Sequence, residues 1–96
     1  MNETLRTSIA DQFKNTPLGF LRIKRNLGCI HFSDSETEIF LRKIILSTPL
    51  KNIATKGKNH YFECFEHNAI LTVNEQTFTI ITAKQIDIFK FTKSNT

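Results

Sequence analysis

Lys56-Gly57-Lys58-Asn59-His60-Tyr61, followed by three apolar runs that end at Thr77-Phe78-Thr79-Ile80-Ile81-Thr82-Ala83-Lys84, decides the fold. From Asn52 onward the apolar residues alternate with polar ones, the signature of half-buried strands. The reading is an antiparallel β-meander with strands at 52–56, 60–66, 69–74 and 77–83. His67-Asn68 and Glu75-Gln76 serve as two-residue turns. These turns set Cys64 opposite Leu71, Phe62 opposite Val73, Val73 opposite Phe78 and Leu71 opposite Ile80. One face then carries Phe62, Cys64, Leu71, Val73, Phe78 and Ile80, all apolar, so two separate turn choices agree on one core face. The other face carries the rows Tyr61–Asn74–Thr77, Glu63–Thr72–Thr79 and Phe65–Ile70–Ile81. Two readings of it stand: a solvated sheet face rich in β-formers such as Thr, or a binding surface beside the loop Lys56–Asn59.

An apolar sheet face must be covered, and the residues before Asn52 supply helices. Leu5, Ile9 and Phe13 recur every four residues and predict a helix over 2–14. Thr16 caps a second helix with Pro17 at its first position, running to Leu27 and stopping at Gly28 (17–27). Phe20, Ile23 and Leu27 form its buried stripe, while Arg22, Arg25 and Asn26 share another face. Ser33 and Glu36 form a capping box for a third helix over 35–46, which buries Leu41, Ile44, Ile45 and part of Phe40. Thr48-Pro49 ends it. The tail from Gln85 to Thr96 alternates apolar residues and reads as an added edge strand with a frayed end. The expected fold is α+β: N-terminal helices packed on one face of a four-stranded antiparallel meander, in a single domain over 1–96.

Composition narrows the class without naming a job. The chain is 40% hydrophobic and 23% charged, within the range of ordinary globular domains. Its nine Phe, with one Tyr and no Trp, predict a core built on phenylalanine. The net charge of +4 suits a nucleic-acid partner without demanding one. The cations cluster in two acid-free windows: Lys14, Arg22, Lys24 and Arg25, then Arg42, Lys43, Lys51, Lys56 and Lys58. Cys29 and Cys64 have no zinc-like spacing and read as reduced packing residues. No metal or cofactor is implied. No signal peptide and no apolar run long enough for a bilayer is visible, so the expectation is a cytoplasmic protein with no membrane partner.

Three pieces in series carry a resemblance: Thr16-Pro17-Leu18-Gly19 with Arg22-Ile23 and Asn26-Leu27; Lys56-Gly57-Lys58-Asn59-His60-Tyr61; and Thr72-Val73-Asn74 followed by Thr77 to Ala83. Over residues 16–84 the chain resembles a family of small bacterial and phage proteins described only as a domain of unknown function. That family brings no activity with it. At the level of fold, the helices and a last strand reading Thr-x-Thr-Ile-Ile-Thr-Ala look like the barnase–EndoU–colicin–RelE superfamily. This second resemblance implies metal-independent ribonuclease chemistry by analogy.

Such chemistry needs a base for the 2′-hydroxyl, cations for the phosphorane and an acid for the leaving oxygen. His60 and Lys58 are the candidate catalytic pair. Arg22, Arg25, Lys56, Lys58, Asn59, Tyr61, Glu63, Thr72 and Thr79 are the candidate binding residues. His60, however, shares the parity of Phe62 and Cys64, so a structural histidine facing the helices is the competing reading. His31 and His67 receive no role. No GxxxxGK[ST], GxGxxG or HExxH pattern occurs, so nucleotide hydrolysis, dinucleotide binding and zinc proteolysis are unsupported. The expected function is nucleic-acid-associated, ribonuclease-like or RNA-binding. The alternative is a non-catalytic phage or mobile-element protein that binds and inhibits a host defence protein through the open sheet face and basic loop.

Overall fold

A computed structural model describes residues 1–86. Three helices, α1 (Glu3–Gln12), α2 (Pro17–Asn26) and α3 (Asp34–Ser47), lead through a 3-10 turn at Leu50–Asn52 into four strands. These are β1 (Ile53–Lys56), β2 (Asn59–Cys64), β3 (Ala69–Asn74) and β4 (Ile80–Gln85), paired antiparallel in the order β1-β2-β3-β4. The architecture is the α+β meander with its helices on one face. Among the described residues no helix is long and apolar enough to cross a membrane.

Each helix end has a local cause. Asn2 Oδ1 accepts from the Leu5 N–H at 2.8 Å, and Thr16 Oγ1 accepts from the Gly19 N–H at 2.9 Å. Ser33 and Glu36 form a reciprocal capping box, with bonds of 3.1 and 2.9 Å between each side chain and the other's N–H. At the end of α2, Gly28 takes φ +73°. The Cys29 N–H donates to the Lys24 carbonyl at 2.8 Å and the Gly28 N–H to the Arg25 carbonyl at 3.3 Å, a Schellman motif that turns Cys29 into the core. Helix α1 stops at Gln12, short of the expected 14, because Phe13 is extended and Lys14 pairs with Thr79.

The two later turns differ from the two-residue turns expected. Phe65–Asn68 is a four-residue turn in which Asn68 takes φ +53°, so β2 ends at Cys64 rather than 66. Cys64 therefore sits opposite Ala69, and Phe62 opposite Leu71. This is a shift of two residues, which keeps every side chain on its expected face. After β3, residues 75–79 form a loop gathered by Asn74, whose Oδ1 accepts from the N–H groups of Gln76 and Thr77, both at 2.9 Å. Phe78 takes φ +61° inside it, and β4 begins at Ile80 instead of 77. A β-bulge at Ile81 separates the Val73–Ile80 pair from the Thr72–Thr82 and Leu71–Ala83 pairs. The tail expected as an edge strand lies, past Ile86, outside the described residues.

The core joins Ile9, Ile23, Leu41, Ile44 and Ile45 of the helices to Phe62, Leu71, Val73 and Ala83 of the sheet. It is chiefly aliphatic, which corrects the expectation of a phenylalanine core. Phe62 alone among the described phenylalanines is fully buried, while Phe13, Phe32, Phe40 and Phe78 pack around the rim and Phe65 is exposed. Two buried polar side chains turn inward without penalty, because each hydroxyl donates within its own helix. Thr37 bonds the Ser33 carbonyl at 2.8 Å and Thr48 the Ile44 carbonyl at 2.7 Å.

Two substitutions weigh these contributions. Replacing Ser33 by Ala removes its half of the capping box and costs about 1 kcal/mol. Phe62→Ala opens a cavity under the sheet and costs about 3–5 kcal/mol, a large share of the roughly 5–15 kcal/mol available to a domain this size. Urea unfolding of the two variants should rank them in that order; equal midpoints would show that the Phe62 site collapses around the smaller side chain.

Candidate functional site

The open face of the sheet follows from the observed register. Lys56 pairs with Asn59, which pairs with Asn74; Ala54, Tyr61, Thr72 and Thr82 form the next row; Glu63, Ile70 and Lys84 the one beyond. The expected rows of Tyr61 with Asn74 and Thr77, and of Glu63 with Thr72 and Thr79, are corrected by this register. Thr79 leaves the set: it lies in the 75–79 loop, bridged to Lys14, and its hydroxyl meets the Thr77 hydroxyl at 2.8 Å. Tyr61 is half-buried between the small Ala54 and Thr72, and Thr72, at the centre of the sheet, is buried. Thr82 and Lys84, which the expected register did not place here, complete the surface.

His60 points the other way. It is 5% exposed, faces the helices, and its Nδ1 lies 2.7 Å from the Thr55 hydroxyl. Burial lowers its pKa from the ordinary value of 6.5, reinforced by the N-terminal ammonium and opposed by Glu75. Lys58 occupies the β1–β2 turn with Gly57, where the glycine's φ of +61° makes the two-residue turn accessible. The Lys58 carbonyl accepts from the Glu75 N–H at 2.8 Å, tying the two turns at this end of the sheet together. Arg22 and Arg25 are on α2, which lies along β4 on the helix-covered side. Strands β1 and β4 are three inter-strand steps apart, about 14 Å. The structure therefore brings Lys56, Asn59, Tyr61, Glu63 and Thr72 together on one face, with Lys58 at its end. It does not bring Arg22, Arg25 or His60 to them.

Arg22 belongs to a second feature, a groove of about 380 Å³ between α2 and β4. Its helix wall is the row Leu18, Arg22, Asn26 at spacing i, i+4, i+8; Ile81 and Thr82 stand opposite, and Ile23 and Ala83 lie beneath. Leu18 is 69% and Ile81 52% exposed. Among the described residues Arg22 is the only charged one lining it. The Ile81 bulge makes this wall, and a strict alternation of β4 conceals it.

A family model described as a protein of unknown function (DUF3781) matches residues 7–84. The chain belongs to that family. The match runs from within α1 to the fifth residue of β4, so it contains both the open face and the groove. No curated protein and no solved structure matches. The likeness to the barnase–EndoU–colicin–RelE superfamily therefore has no solved structure behind it.

Two further groups are chemically suggestive by type and inert by geometry. Ser47 Oγ lies 3.4 Å and Glu66 Oε2 3.2 Å from the same nitrogen, Nε2, of His67. A nucleophile–base–carboxylate relay uses both ring nitrogens, one toward the hydroxyl and one toward the acid, so this trio is not one. Cys29 is buried and its pKa is raised by that burial, with Lys24 opposing, which keeps the thiol protonated.

The buried His60 makes stability pH-dependent. Its folded pKa lies below the unfolded one, so the unfolded chain binds more protons between the two values. The contribution is complete above about pH 6.5 and is lost as pH falls through the folded pKa. Melting temperatures measured from pH 7.5 down to 5 should fall for the parent more steeply than for His60→Gln. Parallel curves for the two proteins would show that His60 is not the group responsible.

Proposed function

We propose that the protein is a nucleic-acid-associated binding domain that takes a single strand, RNA in the first instance, across the open face of its sheet. The observation that carries the reading is the placement of Tyr61 between the small residues Ala54 and Thr72, with Lys56 and Asn59 at one end of the face and Lys84 at the other. A phenol ring among small neighbours offers a stacking surface to a base, and any base presents a π-face to it. Lys56, Lys58 and Lys84 supply phosphate contacts. Asn59, Asn74 and Thr82 offer hydrogen bonds to base or sugar edges. Glu63 is the only carboxylate on the described strands' open face, and it favours the amino edge of a base over a phosphate.

The reading is one of binding without cleavage. The histidine that the sequence offers as a general base, His60, faces away from this surface with its Nδ1 at the Thr55 hydroxyl. The alternative, a phage or mobile-element protein that blocks a host defence protein, calls for a docking surface for polypeptide. The α2–β4 groove is the feature that favours it.

Binding of a fluorescent oligouridylate should weaken steeply with salt, with a log–log slope of about −2 for three phosphate contacts at about −0.7 each. Lys56→Ala and Lys84→Ala should each reduce that slope by about 0.7. Tyr61→Ala should cost about 1–3 kcal/mol of affinity while leaving the slope unchanged. The oligonucleotide should remain intact throughout. A salt-independent signal, or affinity indifferent to Tyr61, would overturn the reading; degradation lost in His60→Ala would replace binding with catalysis.

A further inference from the structure

We propose that the groove between α2 and the outer edge of β4 accepts an extended acidic segment of a partner protein, added to the sheet as a further strand. This site is separate from the open face and does not depend on the nucleic-acid reading.

Where β4 begins, its outer edge is already paired: the Lys14 N–H donates to the Phe78 carbonyl and the Ile80 N–H to the Lys14 carbonyl, both at 3.0 Å. Lys14 thus forms a short parallel bridge with Thr79. The chain then leaves the edge at Asn15 to cap α2 with Thr16. From Ile81 to Gln85 no strand among the described residues pairs with the outer side of β4. The protein's own Lys14 shows that this edge takes a parallel neighbour, and the five residues beyond it give a guest about 17 Å of strand with no partner among the described residues.

Helix α2 runs beside β4 in the same direction: Gly19 and Arg22 line the groove with Ile80 to Ala83, and the Leu27 carbonyl accepts from Gln85 Nε2 at 3.3 Å. A peptide on the β4 edge therefore lies along the row Leu18, Arg22, Asn26. Alternate side chains of a strand point to opposite faces, so every second residue of the guest meets that row. Leu18 and Ile81, both largely exposed, take its apolar residues. The bulge matters here, because it aims Ile81 out of the ladder and into the groove.

Charge selects the occupant. Arg22 lines the groove, and among the described residues no carboxylate does. Lys14 stands at one end and Arg25 one helical turn along. Among the described residues neither arginine makes an ion pair, whereas Arg6, Lys24 and Arg42 are each matched to an acid elsewhere. A planar guanidinium beside a strand edge fits a guest carboxylate with two parallel hydrogen bonds. The guest is an extended segment with apolar residues alternating around a central Asp or Glu.

The test uses the full chain and a defined probe: a fluorescein-labelled peptide of about eight residues, alternating valine and threonine around one central glutamate. Anisotropy should rise saturably with protein. A twin with lysine at the centre should bind at least about tenfold more weakly, and Arg22→Glu should reverse that order. A third peptide, N-methylated at alternate backbone nitrogens, should lose binding, because strand addition requires those N–H groups. Ile81→Asp provides a second variant on the opposite wall and should weaken the glutamate peptide. Arg22 and Ile81 are exposed, and unchanged circular dichroism would confirm that both variants fold. The proposal is overturned by no saturation at millimolar protein, by equal affinity for the two charged peptides, or by retained binding of the methylated one. An oligouridylate whose affinity disappears with Arg22→Glu would assign the groove to nucleic acid and overturn it as well.

Discussion

Phe62 facing Leu71 in the middle of the sheet is the contact on which the rest of the structure depends. Both side chains are fully buried against Leu41, Ile44 and Ile45, and they fix which side of every strand is dry. A slip of two residues between β2 and β3 would leave those sides unchanged, whereas a slip of one would exchange them. With Phe62 inward, Tyr61 and Glu63 are forced outward and His60 inward. His60, almost wholly buried, then needs a polar partner, and Thr55, its cross-strand neighbour on β1, supplies a hydroxyl. The histidine that resembles a catalytic group by its position next to Lys58 is thus a consequence of strand parity.

The same parity explains how much of this protein is legible from its residues. Apolar alternation is a global signal repeated over three strands, so the dry face of Phe62, Cys64, Leu71, Val73 and Ile80 is readable even when the turn lengths are wrong. Helix ends are readable for a different reason: Thr16-Pro17, Ser33 with Glu36, and Gly28 each satisfy backbone groups within a few residues. Turn geometry is less accessible because it is decided by competition. Asn74 draws the chain into a five-residue loop with its side-chain oxygen, and Asn68 adopts a left-handed conformation that extends the preceding turn. Both asparagines are visible in the sequence, and both favour the longer connection. Phe78 at positive φ is held there by tertiary contact, with its ring against the core, and nothing local announces it. The placement of Arg22 was hidden in a similar way, since the neighbour of α2 depends on which strand falls at the sheet's edge.

Both edges of the sheet are treated differently from its middle. β1 is four residues long and ends in Lys56, a short charged edge of the kind that discourages pairing with another chain. β4 is longer, and among the described residues only its start is paired on the outer side, by Lys14. Along the remainder the exposed large apolar residues of the groove are Ile81 on the strand and Leu18 on the helix beside it. Isolated apolar residues on a surface are ordinary. Two of them facing each other across a groove, with a cation between and an unpaired strand edge alongside, form an arrangement that excludes water only when something occupies it.

The bulge at Ile81 links the two surfaces of β4. If β4 alternated strictly from the inward Ile80, Thr82 and Lys84 would also point inward, and Ile81 and Ala83 would point out. Lys84 would then lie beneath α2 as a charge without a partner, which folded proteins rarely tolerate. One extra residue resolves this. After Ile81 the phase of the strand reverses, so Thr82 and Lys84 face water and Ala83 faces the helix, where its small side chain lets α2 approach closely. Two adjacent isoleucines followed by a lysine at the parity of the first already require such a change of phase. The extra residue has to go somewhere, and the space left to it is the groove beside Arg22. The feature that makes the open face polar at Thr82 and Lys84 is therefore the same one that turns an apolar side chain toward the strand edge.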